Sequence, residues 1–179
     1  MKKIIILFTI LLLLAACASK KVMNPNELGK VWPSESLGYI NNRHHIDSLL
    51  TIASDRQINS SKPIVIIYHP GKDECNSSGS STRRSIKAWY NLMEKNINKI
   101  KETNFIYIYK DTTGLYGRHD GYKKWIKDPN SIIEKSFFKN GAVCSGYVVI
   151  SENADYISCN SEFDKDFLKK RFQYIISKE

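Results

Sequence analysis

Two short apolar runs on either side of a helical stripe restrict the fold of this chain more than any other feature. Residues 64–68 and 105–109 are continuous apolar runs of strand length, which are typical of strands buried on both faces. Between them, residues 82–101 carry apolar side chains at helical spacing. A strand, a helix and a second strand in this order predict two parallel strands joined by a right-handed crossover.

The rest of the chain continues this alternation of helices and strands. Residues 42–57 have helical periodicity, and residues 121–138 predict two short helices, the second capped by Asp128 with Pro129 at its first position. The sequence then predicts a hairpin, with strands at 147–150 and 156–158, and a closing helix at 163–176. This order indicates an α/β fold.

The first sixteen residues have the pattern of a secretory signal. Lys2 and Lys3 precede an apolar stretch from Ile4 to Leu14 that only Thr9 interrupts. The stretch is too short to predict a spanning helix, so we interpret residues 1–16 as a cleaved signal peptide.

Small residues precede the first cysteine, in the order Leu14-Ala15-Ala16-Cys17. This resembles the lipobox of bacterial lipoproteins, and the resemblance implies that Cys17 carries a diacylglycerol and becomes the mature N-terminus. A plain secretory signal with an incidental cysteine is the alternative. Residues 17–41 carry two Pro and two Gly with little periodicity, and they predict a lipidated tether.

The mature chain is basic, since removal of Lys2 and Lys3 lowers the net charge from +9 to +7. A positive charge favours an anionic membrane surface or an acidic partner, but it also describes an ordinary solvated surface. The sequence contains no dense basic tract and no RNA-binding motif, so we predict no nucleic-acid partner.

The order of elements from residue 42 onward resembles that of the thioredoxin-like fold. The resemblance implies a three-layer sandwich over residues 42–179, with a central mixed sheet flanked by helices. In that family the active loop lies between the first long strand and the following helix, and Cys75 lies in this loop here. Cys75 is therefore the candidate catalytic residue, and a nearby helix N-terminus and cations would lower the pKa of its thiol.

Two features of the sequence depart from the redox members of that family. The family carries Cys-x-x-Cys, whereas the second cysteine position is Ser78 here. The family also has a proline, normally cis, before its third strand, and the equivalent stretch here is residues 143–146, Val-Cys-Ser-Gly. Both departures lie at the places that matter most for thiol exchange.

The resemblance also places Cys144 beside Cys75, because the proline loop of the family packs against the active cysteine. It therefore implies a Cys75–Cys144 disulfide, with Cys159 left unpaired. The alternative is a Cys144–Cys159 bond across the predicted hairpin, although directly opposed cysteines in a sheet fit disulfide geometry poorly. Three unpaired thiols are the third possibility, which an oxidising compartment disfavours.

Polar residues follow the second predicted strand, and loops at the carboxyl ends of parallel strands line the functional edge of such sheets. His69, Asp73, Arg118 and His119 are the candidates for a pocket there, against the alternative of an ordinary exposed turn. His44 and His45 point about 100° apart on a helix and cannot chelate together. We predict no metal site and no cofactor.

Two function classes fit these observations. The first is a membrane-anchored, extracytoplasmic lipoprotein with a non-catalytic binding or structural role, palmitate on its anchor and a protein partner in the cell envelope. In a Gram-negative cell it would lie on the periplasmic face of the outer membrane. The second is a thiol-disulfide oxidoreductase that uses Cys75, with Cys144 as the resolving thiol.

Overall fold

A computed structural model of the protein describes residues 33–72, 81–115, 121–138 and 140–178. Their strands are β1 (Glu35–Tyr39), β2 (Ile64–His69), β3 (Asn104–Tyr109), β4 (Trp125–Lys127), β5 (Gly146–Ile150) and β6 (Asp155–Cys159). Their helices are α1 (Arg43–Ser54), α2 (Arg83–Asn98), α3 (Ile132–Phe137) and α4 (Lys165–Ile176), with a 3-10 turn at Pro129–Ser131.

The six strands form one mixed sheet in the order β1-β6-β5-β2-β3-β4. Strands β2 and β3 are parallel and are joined through α2, as the two apolar runs predict. Strand β5 is antiparallel to β2, and β6 is antiparallel to β5. This arrangement confirms the predicted α/β class with a central mixed sheet, as the resemblance to the thioredoxin-like fold implies.

Helices cover both faces of the sheet. Residues Ile46 and Leu50 of α1 and Ile133 of α3 pack on one face. On the other face, Met93 of α2 and Phe172 of α4 are completely buried. The strands between them are apolar on both sides because each face has its own helical layer, which explains the continuous rather than alternating pattern of β2.

Strand β1 shows that the predicted tether, residues 17–41, extends too far toward the domain. Residues 35–39 pair antiparallel with β6, from Glu35 opposite Cys159 to Tyr39 opposite Asp155. They belong to the sheet rather than to a linker, although the sequence Glu-Ser-Leu-Gly-Tyr has no strong apolar alternation. The division into a signal peptide, a tether and a domain otherwise stays a prediction, since residues 1–32 lie outside the described residues.

Strand β4 corrects the first of the two short helices that were predicted within residues 121–138. Trp125 lies opposite Tyr107 and Lys127 opposite Tyr109, in parallel with β3. The second helix is present as α3. The Asp128 carboxylate accepts hydrogen bonds from the N–H groups of Ile133 and Glu134 at 3.0 and 2.9 Å, and Pro129 begins the preceding 3-10 turn.

None of the helices in the described part of the chain has the length and apolar character that crossing a membrane requires.

Candidate functional site

Three loops meet at one edge of the sheet, which we call the C-terminal edge because β2 and β3 end there. Strand β2 ends at His69 and β3 at Tyr109, side by side. Strand β5 runs the opposite way and begins at this edge, where Gly146 lies opposite Tyr68. The loops after β2 and β3 and the loop before β5 therefore converge, as the parallel strands predicted.

His69 closes β2 and is buried, with only 6% of its surface exposed. Its Nε2 lies 3.0 Å from the carbonyl oxygen of Thr113 in the loop after β3. A carbonyl oxygen only accepts, so this nitrogen carries the proton and donates. The Trp125 ring packs edge-on against the imidazole at 6.1 Å. His69 therefore joins the ends of two strands.

The loop after β2 is held to the loop after β3 by a second set of contacts. The Lys72 N–H donates to Thr113 Oγ1 at 3.0 Å, and the Thr113 N–H donates to Asp111 at 2.6 Å. Hydrogen bonds from Thr113 lower the pKa of the Asp111 carboxyl. Gly71 has a φ of +116°, and a Cβ there would lie 3.0 Å from Asp111 Cβ. This close approach explains the glycine.

Cys144 lies in the loop before β5 and has a φ of +67°, a left-handed conformation that non-glycine residues rarely adopt. The Ser145 N–H donates to the carbonyl of Val143 at 2.7 Å, and the Val143 N–H donates to the carbonyl of Asn160 at 2.9 Å. No peptide bond in the described segments is cis. The loop that contains a cis proline in the resembling family is therefore built here around a left-handed cysteine.

Cys159 is the other described cysteine, and it is free and buried. It ends β6 opposite Tyr147, and its sulfur contacts the hydroxyls of Ser34 and Ser161 at 3.7 and 3.4 Å. Cys144 lies in the loop before β5, and the residue that faces Cys159 across the hairpin is Tyr147. The alternative Cys144–Cys159 pairing is therefore wrong.

The structure brings together only part of the predicted pocket. His69 lies against the loop after β3, but Asp73, Arg118 and His119 lie outside the described residues, as do Cys75 and Cys17. His44 and His45 are exposed on α1. Over the described ranges, no group of His, Cys, Asp or Glu side chains is arranged to hold a metal ion.

A buried charged network at the start of β1 was not predicted. The Arg171 guanidinium of α4 donates to both carboxylate oxygens of Glu35 at 2.6 Å, and the Tyr147 hydroxyl donates to Glu35 at 3.1 Å. Burial raises the pKa of Tyr147 well above its usual value. No local sequence pattern predicts this network, because Glu35 and Arg171 lie at opposite ends of the domain sequence.

A cleft of about 430 Å³ lies away from this edge and was also not predicted. Lys123 pairs with Glu94 at 2.6 Å, and the Tyr107 hydroxyl donates to the same carboxylate at 2.7 Å. The Arg56 guanidinium donates to the carbonyl of Phe105 at 2.7 Å. The charges of Arg56, Glu94 and Lys123 in the cleft are thus engaged by groups of the chain itself.

Comparisons with known proteins concern the N-terminal segment and the folded domain. A family model for the prokaryotic membrane lipoprotein lipid attachment site matches residues 1–18. Among curated proteins, none matches the sequence significantly. One similar solved structure is a secreted Mycobacterium tuberculosis disulfide oxidoreductase homologous to E. coli DsbE, at 14% identity and a TM-score of 0.41. The similarity covers 63% of this chain and 81% of that one.

The lipid attachment site implies that this chain is a membrane-anchored lipoprotein. The described domain has a mixed sheet flanked by helices, and its loops converge at the C-terminal edge of the sheet.

Proposed function

We propose that this envelope lipoprotein has a non-catalytic binding or structural role, in which a Cys75–Cys144 disulfide fixes the loop after β2 to the start of β5. The observation that carries the proposal is the state of the cysteines at the C-terminal edge. Among the described cysteines, Cys159 is a free, buried thiol and Cys144 is not free. The sequence has four cysteines, and Cys17 is the only one in the matched lipid attachment segment. Cys75 is the partner that remains.

The position of α2 supports the absence of catalysis. The helix begins at Arg83, and the Thr82 side chain caps it by accepting from the Ser85 N–H. Cys75 precedes this start by eight residues, while the helix dipole acts mainly within one turn of the helix end. A thiol at residue 75 would therefore gain little thiolate character from α2, and Ser78 offers no resolving sulfur.

The redox potential of the bond tests the proposal. The full chain would be equilibrated in glutathione or dithiothreitol buffers, its thiols trapped, and the mass of its peptides measured. A structural bond has a potential below about −300 mV. The substitution Cys144→Ser should release the Cys75 thiol, whereas Cys159→Ser should leave the bond unchanged. A Cys75 that is already free in the unreduced wild-type chain would contradict the pairing.

A thiol-disulfide oxidoreductase is the second candidate, and one observation favours it. The left-handed backbone of Cys144 costs about 1–3 kcal/mol, and strain of this kind is concentrated at functional sites. Such an enzyme would titrate at about −120 to −270 mV. Its insulin-reduction activity would be lost in Cys75→Ser and retained in Cys159→Ser.

We further propose that Cys17 carries the lipid, with palmitate among its acyl chains, and that the domain binds a protein of the cell envelope. In a Gram-negative cell, the proposed location is the periplasmic face of the outer membrane. His69, with Asp73, Arg118 and His119 from the adjoining loops, forms the proposed contact pocket. The hydrogen bond between His69 and Thr113 supports this place, since it holds the two loops together.

A further inference from the structure

The direction of β1 determines where the chain leaves the domain toward its lipid anchor. Strand β1 is antiparallel to β6, β6 to β5, and β5 to β2. Strand β1 therefore runs opposite to β2 and begins where β2 ends. Glu35 consequently lies at the C-terminal edge of the sheet, and the anchor segment joins the domain at the edge where the candidate site lies.

Hydrogen bonds place this point of attachment next to the Cys144 loop. The Asn160 N–H donates to the carbonyl of Ser34 at 2.9 Å, and the carbonyl of Asn160 accepts from the Val143 N–H at 2.9 Å. One residue therefore bridges the start of β1 and the residue that precedes Cys144. The anchor attachment and the candidate site are immediate neighbours.

The length of the anchor segment limits how the domain can sit on a membrane. Sixteen residues separate Cys17 from Ser34, and such a chain spans at most about 60 Å. A domain of this size has a radius of gyration of about 14 Å, which corresponds to a diameter of roughly 35–40 Å. If the opposite edge faced the membrane, the anchor segment would have to extend over most of its maximum length. If the C-terminal edge faces the membrane, only a small part of that length is required.

The charges at the C-terminal edge are unevenly distributed. Helix α2 begins there, and its first turn has no acidic residue, although acidic residues are the ones that a helix N-terminus favours. Arg84 and Lys87 are exposed on its first turns. Helix α4 also begins at this edge, and its start carries the exposed acids Asp164 and Asp166. The α2 side is thus complementary to an anionic surface and the α4 side is not.

We propose that the C-terminal edge faces the membrane that holds the lipid anchor, with Arg84 and Lys87 in contact with anionic headgroups. The candidate site is then presented to partners in or on that same membrane. This inference rests on the anchored part of the proposed function and is independent of the disulfide. It extends that function by assigning an anionic membrane as the surface that the candidate site faces.

Site-specific photo-crosslinking to lipid tests the orientation. A benzophenone amino acid would replace Ser81, which is exposed just before α2, or Ser60, which is exposed at the opposite edge before β2. The lipidated full chain would be reconstituted in phosphatidylethanolamine vesicles with and without phosphatidylglycerol. We expect lipid adducts at position 81 and few at position 60, with a several-fold higher yield when phosphatidylglycerol is present. Added salt should lower the yield.

Charge reversal tests the contact itself. The double substitution Arg84→Glu and Lys87→Glu should lower the adduct yield at position 81 several-fold. Acidic residues suit a helix N-terminus, so this variant should fold. Lys95→Glu is the matched control, because Lys95 is exposed in the last turn of the same helix. It should leave the yield unchanged.

The outcomes separate this inference from the function on which it rests. Lipid labelling at position 60 that equals or exceeds labelling at position 81 would overturn the orientation. An adduct yield at position 81 that does not change in the double charge-reversal variant would overturn the headgroup contact. In both cases a chain that still floats with the vesicles leaves the proposed anchor intact. A chain that does not float would overturn the anchor, and this inference with it.

Discussion

A single ion pair connects the first strand of the domain to its last helix. Arg171 is 2% exposed, and its guanidinium meets the Glu35 carboxylate in a bidentate arrangement, a geometry that a lysine could not reproduce. The ring of Phe167 lies 4.7 Å from the guanidinium carbon. Two charges are thus removed from water together, so the loss of one leaves the other buried without compensation.

Removing either charge alone should therefore be costly. We expect Glu35→Gln or Arg171→Met to lower the free energy of unfolding by about 3–5 kcal/mol, measured by urea denaturation. The double variant Glu35→Met with Arg171→Met should be less damaging than the sum of the single changes, since no unpaired charge remains. Glu102→Gln, which removes an exposed partner of Lys62, should change stability by at most about 1 kcal/mol. Strict additivity in the double variant would contradict this account.

At the scale of elements, α2 has one buried face against the sheet and one exposed face. Met93 is completely buried against the sheet, whereas Leu92 is 44% exposed. Trp89 lies between these extremes, half-buried against the rings of Tyr90 and Phe163 at 5.1 and 5.9 Å. The apolar stripe of the sequence therefore faces the sheet through Met93, Tyr90 and Ile97, with Trp89 at its margin.

Neighbouring substitutions in α2 should accordingly differ in cost. We expect Met93→Ala to destabilise the domain by about 2–5 kcal/mol, because it leaves a cavity in a closed layer. Leu92→Ala is the matched control, since it makes the same kind of truncation one residue away on the exposed side, and it should cost about 1 kcal/mol or less. Similar costs for the two variants in thermal or urea unfolding would show that α2 does not pack through Met93.

The start of α3 depends on one buried carboxylate. Asp128 accepts from two backbone N–H groups, and burial raises the pKa of its carboxyl. We expect Asp128→Ala to cost about 1–2 kcal/mol of stability. Asp128→Asn keeps one acceptor oxygen and should cost less, as measured by chemical unfolding. An asparagine variant as unstable as the alanine variant would argue against the capping role.

These elements differ in how far the sequence could predict them. Strands β2 and β3 and helix α2 were predictable because burial on both faces leaves continuous apolar runs, and α2 has one clear stripe. Strand β4 was not, because three residues at a sheet edge owe their conformation to pairing with β3 rather than to a local pattern. Strand β1 was missed for the same reason, since its only fully buried side chain is a glutamate whose partner is Arg171.

The candidate site divides in the same way. Convergence of His69 with the loop after β3 follows from parallel strands and was predicted from topology. The place of Cys144 in the loop before β5 followed from the resemblance to the thioredoxin-like fold. The hairpin register was not predictable, because β5 and β6 pair with Ile150 opposite Tyr156. Tyr147, rather than Cys144, therefore lies opposite Cys159.

At the scale of the whole molecule, we expect the domain to fold without help from its lipid anchor. Both core clusters consist of residues from Ile46 onward, and the sheet begins at Glu35. The segment matched as a lipid attachment site ends at residue 18, outside the described residues. The anchor should therefore determine where the domain resides without determining whether it folds.

Removal of the Cys17 thiol tests this separation. A diacylglycerol thioether needs that sulfur, and each buried methylene of an acyl chain contributes about 0.8 kcal/mol to membrane binding. We expect Cys17→Ser to lose the lipid mass on its N-terminal peptide, measured by mass spectrometry, while the unfolding midpoint of the domain stays unchanged. Mass is the decisive readout, because an unprocessed chain would keep its apolar leader and still sediment with membranes. Cys159→Ser is the control and should retain the lipid. A diacylated Cys17→Ser chain would refute the assignment of the anchor to Cys17, and a lowered unfolding midpoint would show that the anchor segment packs on the domain.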